Sequence, residues 1–354
     1  MRTSLNRPLM DLSILSRRLL VTALLLPAAQ AADADVSGVK SYLTGTLSKV
    51  KRASADFVEH ANAYAQLVAA HGDPQKTFAA EKDQALKLVA KMQDDYKAMD
   101  SFGYETVEGI VAGIEKFAHY DVYLDAGLPK GAAPEEVSPL KLKLKNGEVI
   151  DREGSSFTYI IEPALWGGTK KWCVPVDLDG DGKITARESL PRPEVLTAVA
   201  TDTDKKIGEL LADAQAWQPT VADCYSAMVA MTPTLSDYFE DWKESRYSKA
   251  ASGRFFAVSR ISDMQGIMKS CAVMYRAVEG TVKPKDKALA KSIDTGFKDI
   301  FTFLDDLEAK EKRSSASLKP AVIDEMANQA KSKTDKLVPQ IKQAAALAGV
   351  KVAG

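Results

Sequence analysis

Asp177-x-Asp179-x-Asp181-Gly182-x-Ile184-Thr185-x-x-Glu188 places oxygen ligands at the first, third, fifth, ninth and twelfth positions of one short loop. This is the EF-hand spacing, and the chemistry it suits is calcium binding. A hard cation takes about six to eight oxygens. Here the loop offers the carboxylates of Asp177, Asp179 and Asp181, the backbone carbonyl of Lys183, Thr185 directly or through water, and both oxygens of Glu188. Gly182 permits the sharp turn, and Ile184 is expected to point away from the ion into apolar packing. Pro175 precedes the loop while Pro191 and Pro193 follow it, so neither flank reads as an EF-hand helix. A calcium sensor works by re-angling two helices. With broken flanks and no second loop of this type, the ion is expected to be structural, stapling the surrounding segment to the rest of the molecule.

A second chemistry is spelled by helical spacing. Glu105, Glu108, Glu115 and His119 are predicted along one stripe of a helix, beside the apolar Val107, Ile110, Val111, Ile114 and Phe117. Glu115 and His119 are one turn apart and can share a metal, with Asp121 and Asp125 following. His60 lies on a face with Tyr64, Leu67 and His71 of another helix. The candidate ligands for iron or another transition metal are therefore Glu108, Glu115, His119, His60 and Asp121; the same stripe also reads as a solvated acidic face. With only three histidines in the chain, a histidine-rich zinc or iron site is disfavoured. Met228, Met231, Met264, Met268 and Met274 fall at spacings that fill core gaps rather than bind copper. No Gly-rich phosphate loop, H-E-x-x-H or G-x-S-x-G occurs, so no catalytic residue is assigned.

The elements that must position these residues are mostly helical. Apolar residues return at helical spacing from Val36 to about His71, and further helices are predicted from about Gln75 to Met99 and from Glu105 to His119. Between Tyr120 and Pro175, prolines and glycines break helical pattern; Leu140 to Leu144 before Asn146-Gly147, and the β-prone Thr158 to Ile161, suggest a small hairpin. Helical pattern resumes from about Pro193 to near the end. The fold class expected is all-α: two helical-bundle halves, 32–125 and 193–354, joined by an irregular insertion, 126–192, that carries the hairpin and the EF-hand-like loop.

Residues 1–31 read as an export signal. Arg2, Arg7, Arg17 and Arg18 make a positive start, Leu19 to Leu26 is too short to span a bilayer, and Ala29-Gln30-Ala31 is a small-x-small cleavage site. Ser16-Arg17-Arg18-Leu19-Leu20 resembles a twin-arginine signal, and an ordinary secretory signal fits as well. The mature chain is expected in the periplasm or outside the cell, with no membrane span. Cys173, Cys224 and Cys271 then allow one disulfide at most. Basic and acidic residues balance at 47 and 48, which leaves no cationic excess for a nucleic acid.

Phe256-Ala257-Val258-Ser259-Arg260-Ile261-Ser262-Asp263-Met264-Gln265-Gly266-Ile267, preceded by Tyr238-Phe239-Glu240-Asp241-Trp242, resembles the imelysin family, as does Glu105 to Glu115 leading into His119-Tyr120-Asp121-Val122. The resemblance implies an exported helical-bundle protein of iron acquisition, with metal ions and an inner-membrane iron permease as partners. It also implies a metallopeptidase as an alternative, because the family was first described as a peptidase. The family signature is an H-x-x-E motif on a helix; with Glu115 in the glutamate place, Ala112 stands in the histidine place. A calcium-stabilised structural or interaction module of the cell envelope is the remaining alternative.

Overall fold

A computed structural model describes residues 34–126, 140–152, 154–185, 187–245, 255–313 and 320–352. The expected leader and its cleavage site lie outside the described residues. The described chain is mainly helical, as expected, and no described helix is long and apolar enough to cross a membrane.

The first helix, α1 (Ser37–His71), buries Leu43, Leu47, Val50, Phe57, Ala61, Tyr64 and Val68, an i, i+3/i+4 stripe that continues over its whole length. Gly72 ends it at φ +96°. Asp73 then caps α2 (Pro74–Met99), its side chain accepting from the Lys76 N–H at 2.8 Å, with Pro74 at the first helical position. Helix α6 (Pro193–Ala216) packs along α1 on the side away from α2, so the packing crosses the boundary at residue 192 that the sequence suggests. Lys51 and Ser54 of α1 both bond Asp204 of α6, at 2.5 and 2.7 Å.

A second bundle is made by α7 (Val221–Met231), α9 (Arg260–Val278), α10 (Lys287–Arg313) and α11 (Pro320–Leu347), with α8 (Tyr238–Glu244) against α9 and α11. The seam between the bundles is the short α3 (Glu105–Val111), which lies against α9 and also touches α1 and α7. Two glycines permit this approach. A methyl on Gly266 would sit 2.8 Å from the Glu105 carbonyl oxygen, and one on Gly109 would sit 2.2 Å from Ser270 Oγ.

The predicted helix from Glu105 to His119 is in fact interrupted. Ile114 takes an extended backbone (φ −104°, ψ 116°) before α4 (Glu115–Asp121) begins. The interruption rotates α4 out of the phase of α3, so the expected single stripe does not exist. α4 is instead tied to α6, the Tyr120 hydroxyl donating to Asp213 at 2.8 Å; Tyr123, just beyond α4, donates to Asp202 at 2.6 Å.

The connecting segment holds two small antiparallel pairs. β1 (Leu140–Lys143) pairs with β2 (Val149–Arg152) around Asn146-Gly147, as the turn chemistry predicts. β3 (Cys173–Pro175) pairs with β4 (Ser189–Pro191), closing the base of the acidic loop. The β-prone Thr158 to Ile161 is not a strand: Phe157–Ile161 is a π-helical turn leading into α5 (Glu162–Leu165). Burial of Phe157, Ile160 and Ile161 outweighs their β propensity. All three cysteines are buried and free.

The glycine contact gives a stability prediction. Gly266→Ala should lower the melting temperature, at a cost of about 1–3 kcal/mol from overpacking, whereas Gly38→Ala, where nothing lies within 4 Å, should not. Equal melting temperatures for the two variants in circular dichroism would contradict the close α3–α9 approach.

Candidate functional site: a buried carboxylate centre

The seam collects charge that the sequence disperses. Asp100, Glu105, Glu108, Asp121 and Asp125, all from the chain before β1, are buried together with Glu162 and with Arg260 and Asp263 at the start of α9. Moving a carboxylate out of water costs several kcal/mol unless donors or opposite charge replace the lost hydration. Five of these acids have a donor on at least one oxygen, Asp100 among them, whose Oδ2 accepts from the Ser101 hydroxyl at 3.4 Å. Glu162 accepts from three consecutive backbone N–H groups, those of Phe255 at 3.0 Å, Phe256 at 2.8 Å and Ala257 at 2.9 Å. Phe255 adopts φ +58°, a left-handed conformation that few non-glycine residues hold and that bends these N–H groups onto one carboxylate. Asp263 pairs with Arg260 Nη1 at 2.9 Å. The Tyr104 hydroxyl donates to Asp121 at 2.9 Å, and the Tyr238 hydroxyl donates to Glu108.

Asp100, Glu105 and Asp125 face one another. Oxygens of Asp100, Glu105 and Asp125 come within 4.8 Å of one another. Asp100 Oδ1, both oxygens of Glu105 and Asp125 Oδ1 accept no hydrogen bond. Glu105 is 0 % exposed. Its closest cationic group is Arg260 Nη1 at 3.8 Å, beyond hydrogen-bond reach. The Arg260 guanidinium is itself held between the rings of Phe255 and Tyr238, 4.5 and 4.9 Å away.

Backbone irregularity aims these groups. Asp100 opens a π-helical turn, Asp100–Tyr104, that widens the chain between α2 and α3; Asp125 lies in a second, Val122–Ala126, after α4; Glu162 follows the third. Each extra residue re-aims the side chains beyond it, the usual position of such turns being at functional sites. A cavity of about 10 Å³ between Tyr96, Asp100, Glu162, Arg260 and Asp263 has room for one water or one ion.

Burial, followed by the neighbouring carboxylates, raises the pKa of Asp100, Glu105 and Asp121 well above the ordinary carboxylate range. The same causes push Asp125 up to about 8. Asp263 rises to about 7, burial outweighing the opposing pull of Arg260. Arg260 stays protonated: its burial opposes the charge, but Asp263 and Glu105 hold it.

Of the sequence-derived metal candidates, Glu108 and Asp121 lie in this centre. Glu115 and His119 do not: both are exposed on α4, and the His119 ring stacks on Tyr120 at 4.1 Å. His60 Nδ1 pairs with Asp95 at 2.6 Å between α1 and α2. The two-residue spacing that the resemblance set at Ala112 to Glu115 is met inside the centre by Glu105 and Glu108, with a glutamate in the place given to histidine. Asp100, Glu105, Asp125, Glu162, Arg260 and Asp263 are not among the candidates, although Glu105 and Asp125 lie on the stripe and just beyond it. Their signal was charge inside apolar surroundings, as in Ile160-Ile161-Glu162-Pro163-Ala164-Leu165.

The acidic loop is held by its own side chains. Asp177 accepts from the N–H groups of Gly180 and Gly182 at 2.7 and 2.9 Å, and Gly182 sits at φ +81°. Glu188 accepts from the Thr185 N–H and hydroxyl, both at 2.6 Å. Oxygens of Asp177, Asp179 and Glu188 lie within 4.8 Å of one another, while Asp181 accepts from the Lys183 N–H at 2.7 Å. The flanks are the strands β3 and β4, not helices. Lys82 and Gln75 of α2 reach the carbonyls of Leu178 and Pro175, at 3.0 and 2.9 Å. Ile184 departs from expectation: it is 54 % exposed and lines a cleft of about 650 Å³ with Lys170, Arg187 and Phe256. A paired EF-hand would cover that position, and no second loop exists here to do so.

The raised carboxylates set the sign of a pH effect. In the metal-free protein Asp125 and Asp263 hold protons that the unfolded chain releases near pH 4, so their contribution is full below that pH and is lost as the pH rises through about 7 and 8. The melting temperature of the metal-free protein should therefore fall between pH 5 and pH 8.5, and Asp125→Asn should flatten the fall; a rise over that range would contradict the buried arrangement.

The chain matches the model of the imelysin family, Peptidase_M75, over residues 158–347, more than half of its length. That span contains Glu162, Arg260 and Asp263, whereas Asp100, Glu105 and Asp125 come from helices before it. No curated protein matches the chain. The matched span runs from the turn that leads into Glu162 through all four helices of the second bundle, and on that evidence the chain is a member of the imelysin family.

Proposed function

We propose that this is an exported metal-binding protein of iron acquisition that holds its cargo cation at the Asp100–Glu105–Asp125 centre. The observation that carries this reading is the trio of facing carboxylates with four buried oxygens that accept no hydrogen bond. Leaving such atoms unpaired is costly, and a cation is the partner that removes the cost and the mutual repulsion together. The export signal read from residues 1–31 and the family membership support a periplasmic setting and delivery to a membrane permease. Binding is favoured over peptide hydrolysis because Asp100, Glu105 and Asp125 are all buried, which leaves no opening for a peptide chain.

The loop Asp177–Glu188 adds a structural calcium ion. Its role is to fix the β3–β4 segment, which is anchored to α2 through Lys82 and Gln75. Calcium at a hundred times its Kd should stabilise the fold by about 2.7 kcal/mol, read as a rise in melting temperature that Glu188→Gln abolishes. No calcium effect on the wild type would overturn this assignment.

The centre is tested by calorimetry with iron salts and by elemental analysis of the protein purified from the periplasm. Glu105→Ala and Asp125→Asn should each weaken cation affinity at least about tenfold, while Glu115→Ala and His119→Ala should leave it unchanged. If the wild type takes up no cation other than calcium, or if Glu115→Ala matters and Glu105→Ala does not, the reading fails.

A further inference from the structure

The cleft of about 650 Å³ beside the acidic loop runs between the turn Gly167-Gly168-Thr169-Lys170 and the chain from Ile184 to Ser189. None of the seam's carboxylates lines it. Its volume is in the range of sites for small organic molecules, about 300–1,000 Å³.

The walls are held in place. Gly167 sits at φ +68°, and a methyl there would come within 2.7 Å of the Arg187 carbonyl oxygen and 2.8 Å of its Cα. The two walls therefore meet backbone to backbone. Arg187 takes φ +77°, a left-handed conformation that a non-glycine residue holds only when its surroundings impose it, and such residues cluster at ligand clamps. Its guanidinium lies on the buried Phe256 ring at 4.7 Å, which sets its direction while leaving its charge and donors in place.

The lining has one sign of free charge and an apolar wall. Arg187 and Lys170, one from each side, are exposed, and among the described residues neither meets a carboxylate within ion-pair distance. Glu188 is the acid of the lining, and its oxygens are turned to the loop, accepting from the Leu178 N–H at 3.2 Å and from the Thr185 N–H and hydroxyl at 2.6 Å. Ile184, more than half exposed, supplies apolar surface with Pro175. A guanidinium fork matches a carboxylate, and an ammonium adds a second point of positive charge. A bare inorganic anion would leave Ile184 in water, and a neutral molecule would leave both cations unpaired.

We propose that this cleft binds a small organic anion, one or two carboxylates carried on an apolar body, with Arg187 and Lys170 holding the charge and Ile184 packing on the body. The site goes beyond the iron reading and does not rest on it.

The probe is anilinonaphthalene sulfonate, an aromatic anion whose fluorescence rises in apolar surroundings, added to the full mature chain in calcium-containing buffer. It should bind at one site and be displaced by phthalate, a dicarboxylate on an aromatic ring, but not by phthalamide, the same body without charge. Arg187→Gln and Lys170→Gln should each weaken dye and phthalate about tenfold, with Arg187→Lys between wild type and Arg187→Gln, and Ile184→Ser should weaken both as well. Because the dye also marks loosened folds, each variant must keep the wild-type melting temperature. Should Arg187→Gln lower it, Lys170→Gln, on the exposed turn, carries the comparison. Absence of dye and phthalate binding in the wild type, or undiminished binding by the charge variants, overturns the proposal. So does displacement by phthalamide or inorganic phosphate as effective as that by phthalate. Each of these outcomes leaves the cation reading of the seam intact, because Arg187, Lys170 and Ile184 lie outside it.

Discussion

Taking a carboxylate from water into a protein interior is among the costlier operations a fold can perform, and this molecule does it repeatedly within one seam. The cost is met locally where the chain supplies donors. Three backbone N–H groups converge on Glu162, a guanidinium meets Asp263, and phenols meet Glu108 and Asp121. It is not met at either oxygen of Glu105 or at one oxygen each of Asp100 and Asp125, which face each other instead. The unbalanced remainder is the physical basis for reading a cation site there.

That seam depends on how closely α3 and α9 approach. With Gly109 and Gly266 at the crossing, the Glu105 backbone lies directly against α9, which brings Glu105 to the Arg260–Asp263 pair. The π-helical turns after α2 and after α4 then carry Asp100 and Asp125 to the same point. Arg187, next to the loop glutamate Glu188, lays its guanidinium over the Phe256 ring at 4.7 Å, and the Phe256 N–H reaches Glu162. The acidic loop and the buried centre are therefore joined through one short strap of chain, although each has its own set of acidic residues.

Much of the scaffold was legible in the amino-acid pattern. The α1 stripe, the Asp73–Pro74 start of α2, the Asn146-Gly147 hairpin and the non-helical flanks of the acidic loop all follow from local rules that tertiary packing did not override. The failures have local causes too. Thr158 to Ile161 carried β propensity, but burial of Phe157, Ile160 and Ile161 drew it into a helical turn. The stripe from Glu105 to His119 assumed an unbroken helix, and the extended Ile114 turned its second half to solvent.

The sequence by itself determined the helical class, the resemblance to the imelysin family and the spacing of the acidic residues in the loop from Asp177 to Glu188, because each is written in contiguous spacing. Only the tertiary structure decided which acids are buried together. Asp100, Glu105, Asp125, Glu162 and Asp263 are spread over nearly half of the chain, on elements whose phases are set by π-helical turns and by one close glycine crossing. Helical periodicity reports which face a residue occupies on its own element. It carries no record of which two faces will meet, and the chemistry of this centre comes from that meeting.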